Sequence, residues 1–268
     1  MNKRILLSFF MMCATLFASA QQGEYRSASN PFYWKNKMPY AGYWQQDVHY
    51  QIKATLIDSI DVVDASEVLT YFNNSPDTLK VVYFHLYQNA FLKGGYLEQL
   101  NLANNYKQKF GKYEANGKGT EIENVTVKYI EYPKAYVAEN GTQAAILPMV
   151  QSVSVKPMVD YSIMRVELAQ PIAPNTTISF EIKFKTYFDG GGDQRRRMKM
   201  FDAYGNKHYN GVHWYPRICV YDRKFGWETD QHLGKEFYGD FGTYEVELNF
   251  PKHYVLDATG ELQNRAEV

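Results

Sequence analysis

Six histidines, a triple glycine, a triple arginine and one cysteine beyond the N-terminal segment are the residues of this 268-residue chain whose types could carry chemistry. A thermolysin-type zinc hydrolase needs H-E-x-x-H on a helix, so that two imidazoles one helical turn apart meet the metal beside a general-base glutamate. His49, His85, His208, His213, His232 and His253 are followed by Tyr, Leu, Tyr, Trp, Leu and Tyr, so none begins such a helix. His208, His213 and His232 could in principle be gathered by loops, although their spacing does not require it, and ordinary sheet and loop histidines are the default. A nucleophilic serine would need a G-x-S-x-G elbow, which is absent from the sequence. Gly190, Gly191 and Gly192 lack the following lysine and hydroxyl residue of a phosphate loop. Arg195, Arg196 and Arg197 read as a solvated face before they read as a grip on an acidic partner. The 29 acidic side chains are too many to nominate a glycosidase pair from spacing. No catalytic residue and no metal ligand is therefore nominated.

Stronger local logic lies in "VHWYPRICVYDRKFGWETD", residues 212–230. Trp214 and Tyr215 precede Pro216, which holds the chain extended. Arg217 then comes within reach of Asp222, Glu228 or Asp230, and a buried arginine–carboxylate pair would pin the turn that Gly226 allows beside Trp227. A structural role comes first for this motif and a ligand role second. Cys219 reads as a small buried hydrophobe. With Cys13 in the N-terminal segment expected to be cleaved, there is no second cysteine to build a disulfide framework.

These residues must be positioned by strands. Val48, Tyr50, Ile52, Ala54 and Leu56 alternate with polar residues, and so do Ala65, Glu67, Leu69 and Tyr71, which is the period of a sheet with one wet face. "NNSPDT" supplies a turn whose proline cannot sit in a central strand. A third strand is expected from Leu79 to about Leu86, followed by a turn. Others are expected at 122–131, around 151–156, at 161–168, at 177–188 and near 213–221. In the last long strand, Tyr244, Val246, Leu248 and Phe250 share one side and are expected in a core. "YVLDAT" offers one more short strand. A helix is compatible only with "GGYLEQLNLANNYKQKF". "GKYEANGKGTEIEN" reads as a loop or hairpin tip, and residues 189–211 as a long functional or interdomain loop. The fold class is all-β, mostly antiparallel, with nine or ten strands and at most one short helix.

"MNKRILLSFFMMCATLFASA", residues 1–20, has early cations, an apolar core and an A-x-A-like end, the pattern of a secretory signal peptide cleaved before Gln21. Residues 21–42 read as a leader packed on the domain. The expected product is exported: periplasmic, on the outer surface or secreted. No later apolar run reaches the roughly 18 residues of a spanning helix, so no transmembrane segment is expected. Equal numbers of basic and acidic side chains, 29 each, give no field to attract nucleic acid.

Several ordered motifs together carry a family resemblance. "WYPRICVYD", then "GW", then "EFYGDFGTYEVELNFPKHYVLDATGEL" resembles the N-terminal domain of zinc aminopeptidases related to aminopeptidase N and leukotriene hydrolase, in their exported bacterial branch. "NNSPDTL" and "HLYQNAF" agree with that domain's opening strands. The resemblance covers residues 43–262, patchily through 95–160, and makes 263–268 the start of a linker. It implies a saddle-like β domain without catalytic residues. It also implies a thermolysin-like catalytic domain in cis, in which H-E-x-x-H and a distant glutamate hold zinc beyond Val268. The peptide substrate would lie in a cleft shared by the two domains. The resemblance also implies a glutamine just before the W-Y/F-P motif, as in many exported relatives; His213 stands there in this chain and is the candidate cleft-facing residue. Glu236, Phe237, Tyr238, Gly239 and Asp240 are the candidate interdomain surface. Two rivals stay open: a stand-alone secreted β-sheet binding or scaffold protein without enzymatic activity, and a carbohydrate-binding sheet module with coplanar exposed aromatics.

Overall fold

Alternation sets the first hairpin. In the computed structural model, which describes residues 29, 42–131, 149–192, 199–234 and 238–265, β1 (Asp47–Ile57) buries Val48, Tyr50, Ile52 and Ala54. β2 (Val62–Phe72) buries Ala65, Glu67, Leu69 and Tyr71. They pair antiparallel, with Tyr50 opposite Leu69 and Ile52 opposite Glu67. β8 (Thr177–Tyr187) joins the other side of β2 and adds Ile178, Phe180, Ile182 and Phe184 to the same buried face. β4 (Thr120–Glu131), β5 (Met149–Val155) and β14 (Thr243–Asn249) complete a six-stranded sheet in the order β14-β1-β2-β8-β4-β5.

A second sheet runs β11-β3-β7-β6, from β3 (Leu79–His85), β6 (Met158–Asp160), β7 (Ile163–Ile172) and β11 (Arg217–Ile218). Both sheets feed one hydrophobic core, where Phe84 of β3 meets Phe180 of β8 edge-on at 5.5 Å. The ladders are antiparallel except β1 with β14, which is parallel. The chain is therefore all-β and mostly antiparallel, as its alternation predicts. Trp44–Val268 form one compact unit; the other, Met1–Tyr43, contains the proposed signal peptide and leader, which lie outside the described residues apart from Ser29 and Gly42.

The "NNSPD" turn is tied down by a buried amide. Asn73 is fully buried. Its Nδ2 donates to the carbonyls of Asp77, Ile172 and Ala173, while its Oδ1 accepts from Gln46 Nε2 and from both the amide and the hydroxyl of Ser75. One side chain thus fastens the β2–β3 turn to the end of β7 and to the residues ahead of β1. Satisfying so many buried polar groups explains why an asparagine tolerates full burial here.

Local expectations differ from the structure in four places. Helix α1 (Tyr96–Ala103) forms in the one tract compatible with it, but a single helical turn, α2 (Lys112–Ala115), also forms within the expected loop at 111–124. The turn expected after Leu86 is present as a 3-10 turn, Tyr87–Phe91. Residues 189–211 contain a hairpin, β9 (Lys199–Ala203) with β10 (Asn206–Asn210), so this stretch is only partly loop; the arginine run inside it lies outside the described residues. The strand expected at 213–221 is reduced to β11 and β12 (Tyr221–Asp222), the latter paired with β13 (Gly226–Trp227). Pro216 and the left-handed backbone of His213, φ 59°, interrupt any longer ladder. "YVLDAT" forms no strand. With these short pieces the described residues contain fourteen strands, where nine or ten were expected.

Candidate functional site

The excursion at 189–211 is fixed by a buried polar clamp. Asp189 Oδ2 accepts from the amides of Tyr113 and Glu114 at 2.7 and 2.9 Å, capping α2. Lys199 Nζ lies 3.0 Å from Glu114 Oε1, with both side chains almost wholly buried, and also donates to the carbonyl of Gly191 at 2.7 Å. The triple glycine is needed for close approach: a Cβ on Gly192, where φ is +79°, would stand 2.7 Å from the amide nitrogen of Gly111. Gly190–Gly192 therefore bring the chain onto α2. At its far end the hairpin is held by Lys207 Nζ and Tyr209 Oη, which donate to Asp61 Oδ1 at 2.7 and 2.5 Å. Spacing alone missed this clamp; its only signal is the coincidence of Gly111 with the later glycine run.

The segment 212–230 folds beside it. Gly226, with φ +68°, allows the β12–β13 turn, and Asp222 Oδ1 accepts from the amides of Lys224 and Phe225. Trp227 packs between Tyr71, Tyr83 and Tyr221, and Trp214 packs on Phe184. Cys219 is buried, and burial pushes its thiol well above the usual range. Two of the expected partners of Arg217, Asp222 and Glu228, are engaged by other groups. Glu228 Oε2 meets His85 Nε2 at 3.0 Å, Asp222 Oδ2 accepts from Tyr238 Oη at 2.7 Å, and Glu228 Oε1 accepts the amide of Asp230. Arg217 Nη2 instead donates to the carbonyl of Asp240 at 2.7 Å.

That bond places the candidate interdomain residues. Gly239 lies against the guanidinium, where a Cβ would come within 2.5 Å of Arg217 Nη2. Gln45 Nε2 donates to Asp240 Oδ1 at 3.0 Å. Burial raises the carboxyl of Asp240 above the usual carboxylate range. Tyr238, Gly239 and Asp240 thus strap the chain over Arg217 and deliver it into β14. Glu236 and Phe237 lie outside the described residues.

His213 does not stand alone. Its ring lies 4.6 Å from Tyr87 and 5.8 Å from His232, while His85 stacks on the other partner of this group, Tyr87, at 4.8 Å. His213 and His232 are thus brought together as the loop hypothesis allows, whereas His208 packs on Phe201. Among the described residues no group of three or more His, Cys, Asp or Glu is arranged to hold a metal.

Beyond the strap, β14 runs beside β1 in a register that matches charge on one face and apolar surface on the other. On the polar face Lys53 meets Glu247 at 2.9 Å and Gln51 Nε2 donates to Glu245 at 3.0 Å. On the opposite face Tyr244 stacks on Tyr50 at 4.8 Å with planes 1° apart, and Tyr215 meets both rings edge-on. Tyr215 Oη donates to Tyr244 Oη at 3.2 Å, and Tyr50 Oη accepts the amide of Ile218. Val246 and Leu248 follow beside Ile52 and Ala54. The sequence places Tyr244, Val246, Leu248 and Phe250 in a core, and here the structure corrects it. Tyr244, Val246 and Leu248 are 42, 47 and 36% exposed, and only Phe250 is half-buried. The alternation holds, but the second sheet does not reach across to cover this edge.

No family model matches the chain, and no curated protein matches it. Among solved structures it is similar to an M1 zinc metallopeptidase from Deinococcus radiodurans, at 12% identity and a TM-score of 0.35 over 78% of this chain and 33% of that one. A mutant of that organism's enzyme bound to a Tyr-Ser-Ala substrate gives 13% identity and a TM-score of 0.39 over 77% and 33%. A two-domain M1 zinc metallopeptidase mutant bound to L-arginine gives 13% and 0.39 over 78% and 33%. The chain spans about a third of the length of these structures. Likenesses this distant leave the function to be read from the chain's own residues.

Proposed function

We propose that this chain is the non-catalytic N-terminal β domain of an exported zinc metallo-aminopeptidase. In this reading the inner face of β14 docks on a thermolysin-like catalytic domain in cis. The observation that carries it is the uncovered stripe of Tyr244, Val246 and Leu248, which continues the buried face of the large sheet on a strand whose other face is already paired. An apolar face continuous with a core is the kind of surface that a second domain covers. The ordered motifs from "NNSPDTL" to "ATGEL" name which second domain that would be. Zinc and the residues that polarise the peptide carbonyl would belong to that domain, and His213, half-buried beside Tyr87, would face the peptide at the shared cleft.

Sequencing the transcript past Val268 tests this directly. An open frame encoding H-E-x-x-H and a later ligand glutamate supports it; an immediate stop codon overturns it in favour of a stand-alone binding or scaffold protein. In the full-length enzyme, His213→Asn keeps a residue that tolerates the left-handed backbone. It is expected to raise KM for peptides while leaving kcat nearly unchanged; an unchanged KM removes His213 from the cleft. Export is tested by sequencing the N-terminus of the mature protein, expected at Gln21.

A further inference from the structure

Glu67 lies at the centre of the large sheet, on the inner face of β2. It is 0% exposed, and neither carboxyl oxygen has a hydrogen-bond partner among the described residues. Its ladder neighbours are Ile52 on β1 and Ile182 on β8, both apolar and buried. The facing sheet adds Val82, Phe84, Met164 and Val166 to the same core. The titratable groups it acts on are Tyr50 of β1 and Tyr215 ahead of β11; Arg217 and Tyr244 stand beside those phenols. This is a different situation from the other buried carboxylates. Glu114 has Lys199 and Asp189 has three amides. An ionised carboxylate in such surroundings carries a large desolvation cost that nothing nearby offsets.

We propose that Glu67 is a proton-operated latch: a neutral acid in the closed core that ionises only when the β1–β2–β8 centre opens, so that rising pH loosens the strands carrying Tyr50 and Tyr244. Burial raises its carboxyl well above the ordinary range, in agreement with the packing. At a pH below the unfolded chain's carboxyl value, about 4.3, both states are protonated and the latch costs least. Above it the unfolded chain releases the proton and the folded chain keeps it. Stability then falls with each pH unit for as long as the closed core keeps that proton. The core is therefore tightest in mildly acidic medium. This property belongs to the fold and does not depend on the docking reading.

The test is urea unfolding of the whole chain and of Glu67→Gln from pH 5 to pH 9. Relative to the glutamine variant, the unfolding constant of the wild type is expected to rise by up to about tenfold per pH unit. Parallel pH profiles for the two proteins overturn the proposal. Glu67→Leu provides a second variant, expected to be more stable than wild type at pH 8; a less stable leucine variant counts against the latch. An infrared difference spectrum, wild type minus Glu67→Gln at pH 7, is expected to contain the C=O band of a protonated carboxyl. A carboxylate band in its place overturns the proposal without reference to stability.

Discussion

β2 and β14 are written in the same alternating pattern and belong to the same sheet, yet they end in opposite environments. On β2, Ala65, Glu67, Leu69 and Tyr71 are all buried, whereas the corresponding face of β14 is exposed by more than a third at Tyr244, Val246 and Leu248. Period-2 alternation states which side chains share a face. It does not state whether another layer covers that face, because cover depends on how far the second sheet extends. The covered strand tolerates even a carboxyl that gains no partner among the described residues, and the uncovered strand leaves apolar surface exposed, as the proposed docking requires.

The contrast can be sharpened by substitutions read through urea unfolding of the 268-residue chain. The largest loss is expected where burial and charge coincide: Lys199→Met strands Glu114 without its partner and should cost about 3–5 kcal/mol. Within the covered face, Leu69→Ala removes a fully buried side chain and should cost about 2–5 kcal/mol. Asn73→Ala unfastens the turn ahead of β3 and should cost at least about 1–3 kcal/mol, since several buried groups lose a partner together. The smallest effect belongs to the uncovered face, where Val246→Ser should change stability by no more than about 0.5 kcal/mol. A loss at Val246 as large as that at Leu69 would break the comparison, and with it the case for β14 as a docking strand.

Much of the fold is legible in the residues. The first three strands and the strand of Phe180 and Phe184 stand where their alternation puts them, within a few residues at each end. Even Glu67 was legible, since its phase places it with Ala65, Leu69 and Tyr71. The candidate site was less so. Arg217 reaches the backbone carbonyl of Asp240, while the turn sends Asp222 to its own amides and to Tyr238, and His85 takes Glu228. Those choices are made by chain segments far apart in sequence. The same holds for the gathering of His85, His213 and His232 around Tyr87.

The sequence by itself determined the periods, the turns and the sidedness of each strand, because these follow from side-chain alternation and from backbone limits on glycine and proline. Tertiary structure alone decided that β14 lies parallel to β1 with its apolar face uncovered, that three glycines bring Lys199 and Asp189 onto Glu114 and α2, and that Glu67 has no hydrogen-bond partner among the described residues. Each of these depends on which distant segment arrives at a given place, and local free energies along the chain carry no record of that arrival.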